Sequence, residues 1–178
     1  DLNNQEFSNF FFDKGGNKKA PDEFVKSNLP SDIKIYSGKV DFSKPLNKTT
    51  KLEAGIKSSY VKTDNNALYQ NLVGSNWETD LGRTNHFVYK ENINAAYINT
   101  SKEFNKTWSA QLGFRLENTN AKGEQLTTGR SFDRNYTQLF PTAYIGYNLN
   151  EKNQFSLNYG RRIERPDYED MNPFYYFL

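Results

Sequence analysis

The chain has 178 residues, 35% of them hydrophobic and 16% aromatic, with 23 basic against 21 acidic side chains, one histidine and no cysteine. The aromatic share argues against disorder, the interspersed and nearly balanced charge leaves no electrostatic footprint for nucleic acid, and the missing thiols exclude disulfides, thiolate metal sites and cysteine nucleophiles. No run of about 18 apolar residues offers a membrane helix, but the alternating strands of a membrane barrel average to a polar hydropathy and stay open.

Residues 1–31 read as a polar outer region with room for one strand between Phe7 and Phe12. From 32 onward the dominant signal is strict alternation, the mark of half-buried strands. Segment 33–43 carries Tyr36, Val40 and Phe42 on one face. Segment 51–60 sets Leu52, Ala54, Ile56 and Tyr60 opposite Lys51, Glu53 and Lys57. In 87–97 the apolar face reads Phe87, Tyr89, Ile93, Ala95 and Tyr97, with Glu91 as a misfit among them. Segment 106–118 places Trp108, Ala110, Leu112, Phe114 and Leu116 against Gln111, Gly113, Arg115 and Glu117. Segment 139–149 offers Leu139, Ala143, Ile145, Tyr147 and Leu149. The last, 154–164, sets Phe155, Leu157, Tyr159 and Ile163 against Gln154, Ser156, Asn158, Arg162 and Glu164. The expectation is all-β: about six strands in an antiparallel up-and-down meander.

The connections alternate as well. Short polar turns at 44–48, 104–106 and 150–153 are separated by long segments at 64–85 and 121–135, rich in Asn, Thr, Gly and charge. Short turns at one end and long loops at the other describe an outer-membrane barrel, with the long loops extracellular. Trp108 and Phe155 follow short turns, while Tyr60, Tyr89 and Tyr159 stand nearer the long segments. Aromatics at both ends of an apolar band suit the two headgroup layers. A soluble β-rich module that binds a carbohydrate-type ligand shares the alternation and is the rival reading.

Three further stretches carry a resemblance. They are Leu139-Phe140-Pro141-Thr142-Ala143-Tyr144, Asn158-Tyr159-Gly160-Arg161-Arg162-Ile163 with Arg165-Pro166, and Met171-Asn172-Pro173-Phe174. With the earlier runs 31–36 and 52–57, they resemble the outer-membrane β-barrel family of Bacteroidetes TonB-dependent receptors. The resemblance covers about 30–178. It implies a barrel of about 22 strands, closed by a plug and energised through that plug by the TonB–ExbB–ExbD complex, which imports a nutrient across the outer membrane. It also admits a surface lipoprotein of SusD type as partner, outer-membrane lipid around the wall, and a non-transporting scaffold role. Six strands cannot close on themselves, so the chain is expected to be an internal fragment of a longer receptor.

Candidate chemistry is sparse. His86 is the single histidine, so a Ser-His-Asp site would have to centre on it, and no orienting partner lies nearby in sequence. Glu164, Asp167, Glu169 and Asp170 form an acidic cluster without the ordered spacing and turn glycine of a calcium loop, and Arg161, Arg162 and Arg165 lie among them. No enzyme, cofactor or metal site is expected. Tyr69, Trp77, His86 and Phe132 are candidate ligand contacts on the long loops. By parity Glu53, Lys57, Arg115, Glu117, Arg162 and Glu164 face the lumen, while Arg161 faces outward near lipid phosphate.

Overall fold

The computed structural model describes residues 4–164. It is an antiparallel sheet of nine strands: β1 (Asn4–Asn9), β2 (Glu23–Asn28), β3 (Ser31–Pro45), β4 (Thr50–Val73), β5 (Asn76–Thr79), β6 (Asn85–Glu103), β7 (Trp108–Gln125), β8 (Arg130–Asn150) and β9 (Asn153–Gly160). The all-β meander stands, and no helix occurs among the described residues. The long segments differ from expectation, being mostly strand rather than loop. β4 runs on to Val73, β7 to Gln125, and β8 begins at Arg130.

The three turns at one end share one device. Asn47 Oδ1 accepts the Thr49 N–H, Asn105 Oδ1 accepts the Thr107 and Trp108 N–H groups, and Asn150 Oδ1 accepts those of Lys152 and Asn153. An asparagine that bonds the backbone two or three residues on closes such a turn with few residues. At the opposite end Gly74 and Gly129 take positive φ values of 64° and 71°, which a side chain would resist.

β2 and β3 behave as one strand. Both pair with β4 in a single continuous register, from Val25↔Asn71 to Pro45↔Lys51. Pro30 interrupts the ladder because it has no N–H to give, although its carbonyl still accepts the Asn66 N–H. β1 folds back on β2, so the outer region assigned to 1–31 holds two strands. On the other edge of β4, β5 and β6 are separated by a turn at 80–84 tied to β4, with the Asp80 N–H donating to the Tyr69 carbonyl.

Register decides the faces. Leu52, Thr100, Leu112, Ala143 and Tyr159 share one row, and Ala54, Ile98, Phe114 and Pro141 share the next. One face, the outer one, therefore carries Ile56, Ile98, Leu112, Phe114, Leu116, Ile145 and Leu157, each close to half exposed or more. An apolar band of this breadth, most of it on strands with sheet neighbours on both sides, is a membrane-contacting surface. Below it Trp108 pairs with Tyr147, their rings 4.5 Å apart, and Tyr147 pairs with Phe155. Above it Tyr36 pairs with Tyr60.

The parity expected for β6 is reversed by the same register. Ile56 lies opposite Ala96, so Ala96 and Ile98 join the outward band while Phe87, Tyr89, Ile93, Ala95 and Tyr97 face inward. The misfit Glu91 is thereby explained: it sits on the inner, polar side and accepts a hydrogen bond from the Tyr89 hydroxyl at 3.1 Å. Alternation alone could not choose, because both faces of β6 hold apolar residues.

Candidate functional site

The inner face is the candidate site. One row crosses it as Asp41, Gly55, Tyr97, Arg115 and Phe140. The Tyr97 ring lies flat across Gly55, where a Cβ would collide with it. The Lys39 ammonium and the Arg115 guanidinium stand 5.8 Å and 6.0 Å from that ring, at the outer range of cation–π attraction. Glycines on this face let neighbouring side chains lie down against the wall. Gly123 sits under Phe132 in the same way, and Gly113 lies under Asn99 and Thr142.

Charge is fixed within this surface by pairs on single strands: Lys39–Asp41 at 2.7 Å, Lys51–Glu53 at 2.5 Å and Arg115–Glu117 at 2.5 Å. Two adjoining depressions of about 540 and 530 Å³ share Tyr97, Asn99 and Arg115. Glu53 and Lys57 line the first; Glu117, Arg162 and Ile163 line the second. Farther from the short turns, Phe87, Tyr89 and Ala121 form a buried cluster with Phe132 packed against it. The inner wall is thus charged across its middle and aromatic toward its outer end.

Of the expected lumen residues, Glu53, Lys57, Arg115 and Glu117 share the inner face. Arg162 reaches it by a different route from the one expected. β9 ends at Gly160, and residues 161–163 border the inner depression beside Arg115 and Phe140. Arg161 borders the same depression, but its N–H donates to the Pro141 carbonyl, which keeps it in line with the outward row that holds Pro141. Glu164 is exposed just beyond; Asp167, Glu169 and Asp170, with Arg165-Pro166 and the Met171 to Phe174 motif, lie outside the described residues.

The four candidate ligand contacts do not converge. Tyr69 and Phe132 fall on the inner face, whereas Trp77 pairs with Leu72 and His86 with Asn66 on the outer one. Trp77 holds the Lys26 ammonium 4.3 Å from its ring. His86 finds a partner the sequence hid: its Nε2 lies 2.8 Å from Asp64 Oδ1, on the adjacent strand. That contact and the Lys62 ammonium hold the Asp64 carboxyl below its ordinary value of 3.8, against a smaller upward push from burial. At the 80–84 turn, burial pushes Asp80 up, but hydrogen bonds from Asn71 and the Gly82 and Arg83 N–H groups outweigh it. Asn99 carried no signal in sequence and parity set Tyr97 on the opposite face, yet both prove central to the inner face. Among the described residues no group of three or more His, Asp or Glu side chains gathers to hold a metal ion.

A sheet with one apolar face, aromatic borders and a charged opposite face is a sector of a transmembrane β-barrel wall. The chain belongs to the outer membrane protein beta-barrel family, whose model matches residues 1–178, and so has its place in the outer membrane. Among solved structures it is similar to the ferric citrate transporter FecA in its unliganded form. The TM-score is 0.50 at 13% identity, covering 75% of this chain and 20% of that one. This chain thus spans about a fifth of that structure, and the likeness is one of fold. No curated protein matches the chain by sequence. The soluble-module alternative is overturned by the family and by the exposed apolar outer face.

Proposed function

We propose that the chain forms part of the barrel wall of a TonB-dependent outer-membrane receptor that imports a nutrient, and that it is not an enzyme. The observation that carries this reading is the inner row of Asp41, Tyr97 and Arg115 flanked by Glu53, Lys57 and Glu117. Charges fixed on a rigid wall, with ring faces laid flat to keep the passage open, suit a surface that holds a removable plug or guides a polar solute. The fold likeness to a TonB-dependent transporter supports the same reading. In it the TonB–ExbB–ExbD complex acts through the plug, and the half-buried Phe132, backed by the buried Tyr89, meets solute before the charged middle does.

Replacing Glu53, Lys57, Arg115 and Glu117 together by neutral isosteres in the complete receptor tests this. Energised uptake should fall and the plug should become more accessible to protease, with the barrel still resisting detergent unheated. Unchanged uptake and protection in a folded variant would sink the proposal. A scaffold role beside a SusD-type lipoprotein would instead leave uptake absent in the parent receptor as well.

A further inference from the structure

The outer ends of the strands carry a second, unassigned pattern on the face that holds the apolar band. Lys34, Lys62, Lys90 and Lys122 stand directly opposite one another across β3, β4, β6 and β7. Like charges directly opposite destabilise a sheet, so the opposition of four lysines is not itself a stabilising arrangement. One outward-facing position farther from the apolar band sit Asp32, Asp64 and Glu124, at 2.9, 3.0 and 2.8 Å from Lys34, Lys62 and Lys122. Lys90 reaches Glu124 at 4.0 Å. Lysine toward the membrane and acid away from it is the order on descending β3 and on ascending β4 and β7 alike. Depth, not a directional motif, sets the order. On β8 the same row holds Asp133, and the lysines stop.

Barrel strands tilt by about 35–45° at about 4.8 Å spacing, so the membrane surface crosses the ladder obliquely, by roughly one residue per strand. The apolar band follows that slant. It reaches Tyr36 and Tyr60 on β3 and β4 but stops at Ala96 and Leu116 on β6 and β7, where Asn94 and Asn118 take over. Lys34 and Lys62 therefore lie at headgroup level, and Lys90 and Lys122 stand progressively higher. Their side chains are 31–54% exposed and retain donors for a second partner. Beneath them an outward-facing groove of about 790 Å³ runs between Val40, Ile56, Ala96 and Leu116.

We infer that this face binds a phosphorylated glycolipid of the outer leaflet. One acyl chain lies in the groove, the phosphate nearest the membrane meets Lys34 and Lys62, and the taller headgroup climbs past Lys90 and Lys122. A compact phospholipid headgroup would reach only the lower pair. The acids beyond the lysines repel phosphate and so fix its depth. This site does not depend on transport, and uptake and lipid retention can fail separately.

The test is lipid retention by the complete receptor, extracted from its own outer membrane in mild detergent and examined by native mass spectrometry. The parent protein should keep phosphorylated glycolipid in preference to added phosphatidylethanolamine. Replacing all four lysines by glutamine should reduce retention about tenfold or more, the loss expected for several charge-assisted contacts, while Lys→Arg replacements should preserve it. Ser58→Phe, at the head of the groove, should reduce retention with the lysines intact. Where the quadruple variant does not fold, K34Q/K62Q carries the comparison. Equal retention by a folded lysine variant, no preference over phosphatidylethanolamine, or displacement of the lipid by inorganic phosphate alone would each overturn the assignment.

Discussion

The same strands build two regions with different chemistry. Below the Tyr36–Tyr60 pair β3 and β4 present Val40, Phe42, Ala54 and Ile56 outward; above it the same parity presents Lys34, Asp32, Lys62 and Asp64. Hydrogen bonding does not change at this border, since one register runs from Pro45↔Lys51 through Ser31↔Asn65. What changes is the solvent. In hydrocarbon an outward side chain must be apolar, while in water the same pleat position is free to carry charge. A continuous ladder can thus serve two solvents, with the border written only in side chains.

The contrast predicts its own largest effect. Ile98→Arg in the outward band should cost about 2–4 kcal/mol, the range for a cation near the bilayer midplane of a barrel. Asn120→Arg, on the outward face of the extension, should stay within about 0.5 kcal/mol. Urea unfolding in lipid vesicles measures both, and equal effects would erase the border drawn here.

The two faces of the wall differ next. Gly123→Leu pushes a side chain into the Phe132 ring and should cost about 1–3 kcal/mol through overpacking. Gly38→Ala, on the outward face with nothing within 4 Å of the new Cβ, should be close to neutral. Thermal unfolding of the two variants ranks them directly.

The smallest effect is a pH dependence confined to the extension. The Asp64 carboxyl is held below 3.8 by His86 and Lys62. Its contribution is therefore complete above the ordinary carboxylate value and is lost as pH falls through the lower folded value. Asp64→Asn should lower stability at pH 6 and make little difference well below pH 3.8. A gap between parent and variant that widened on acidification would contradict the sign.

Much of the fold was legible because barrel strands alternate. The apolar face of β7 and the inward Glu53, Lys57, Arg115 and Glu117 follow from a period of two, and the short turns with Asn47, Asn105 and Asn150 from the polar breaks between alternating runs. The extensions of β4, β7 and β8 were not legible as strand. Outside the membrane both faces are polar, so alternation disappears while the ladder continues. The β6 parity failed for a related reason, since its aromatic side faces inward and covers Gly55 and the Phe132 cluster.

Sequence by itself determined the class: alternating strands, one apolar face, polar turns, and a place in the outer membrane by resemblance to a known family. Tertiary structure decided which residues meet. The inner Tyr97 between Lys39 and Arg115, the Asp64–His86 contact and the lysine row all join strands far apart in the chain. Their meeting depends on register, and a register is a property of paired strands that no single strand's pattern contains.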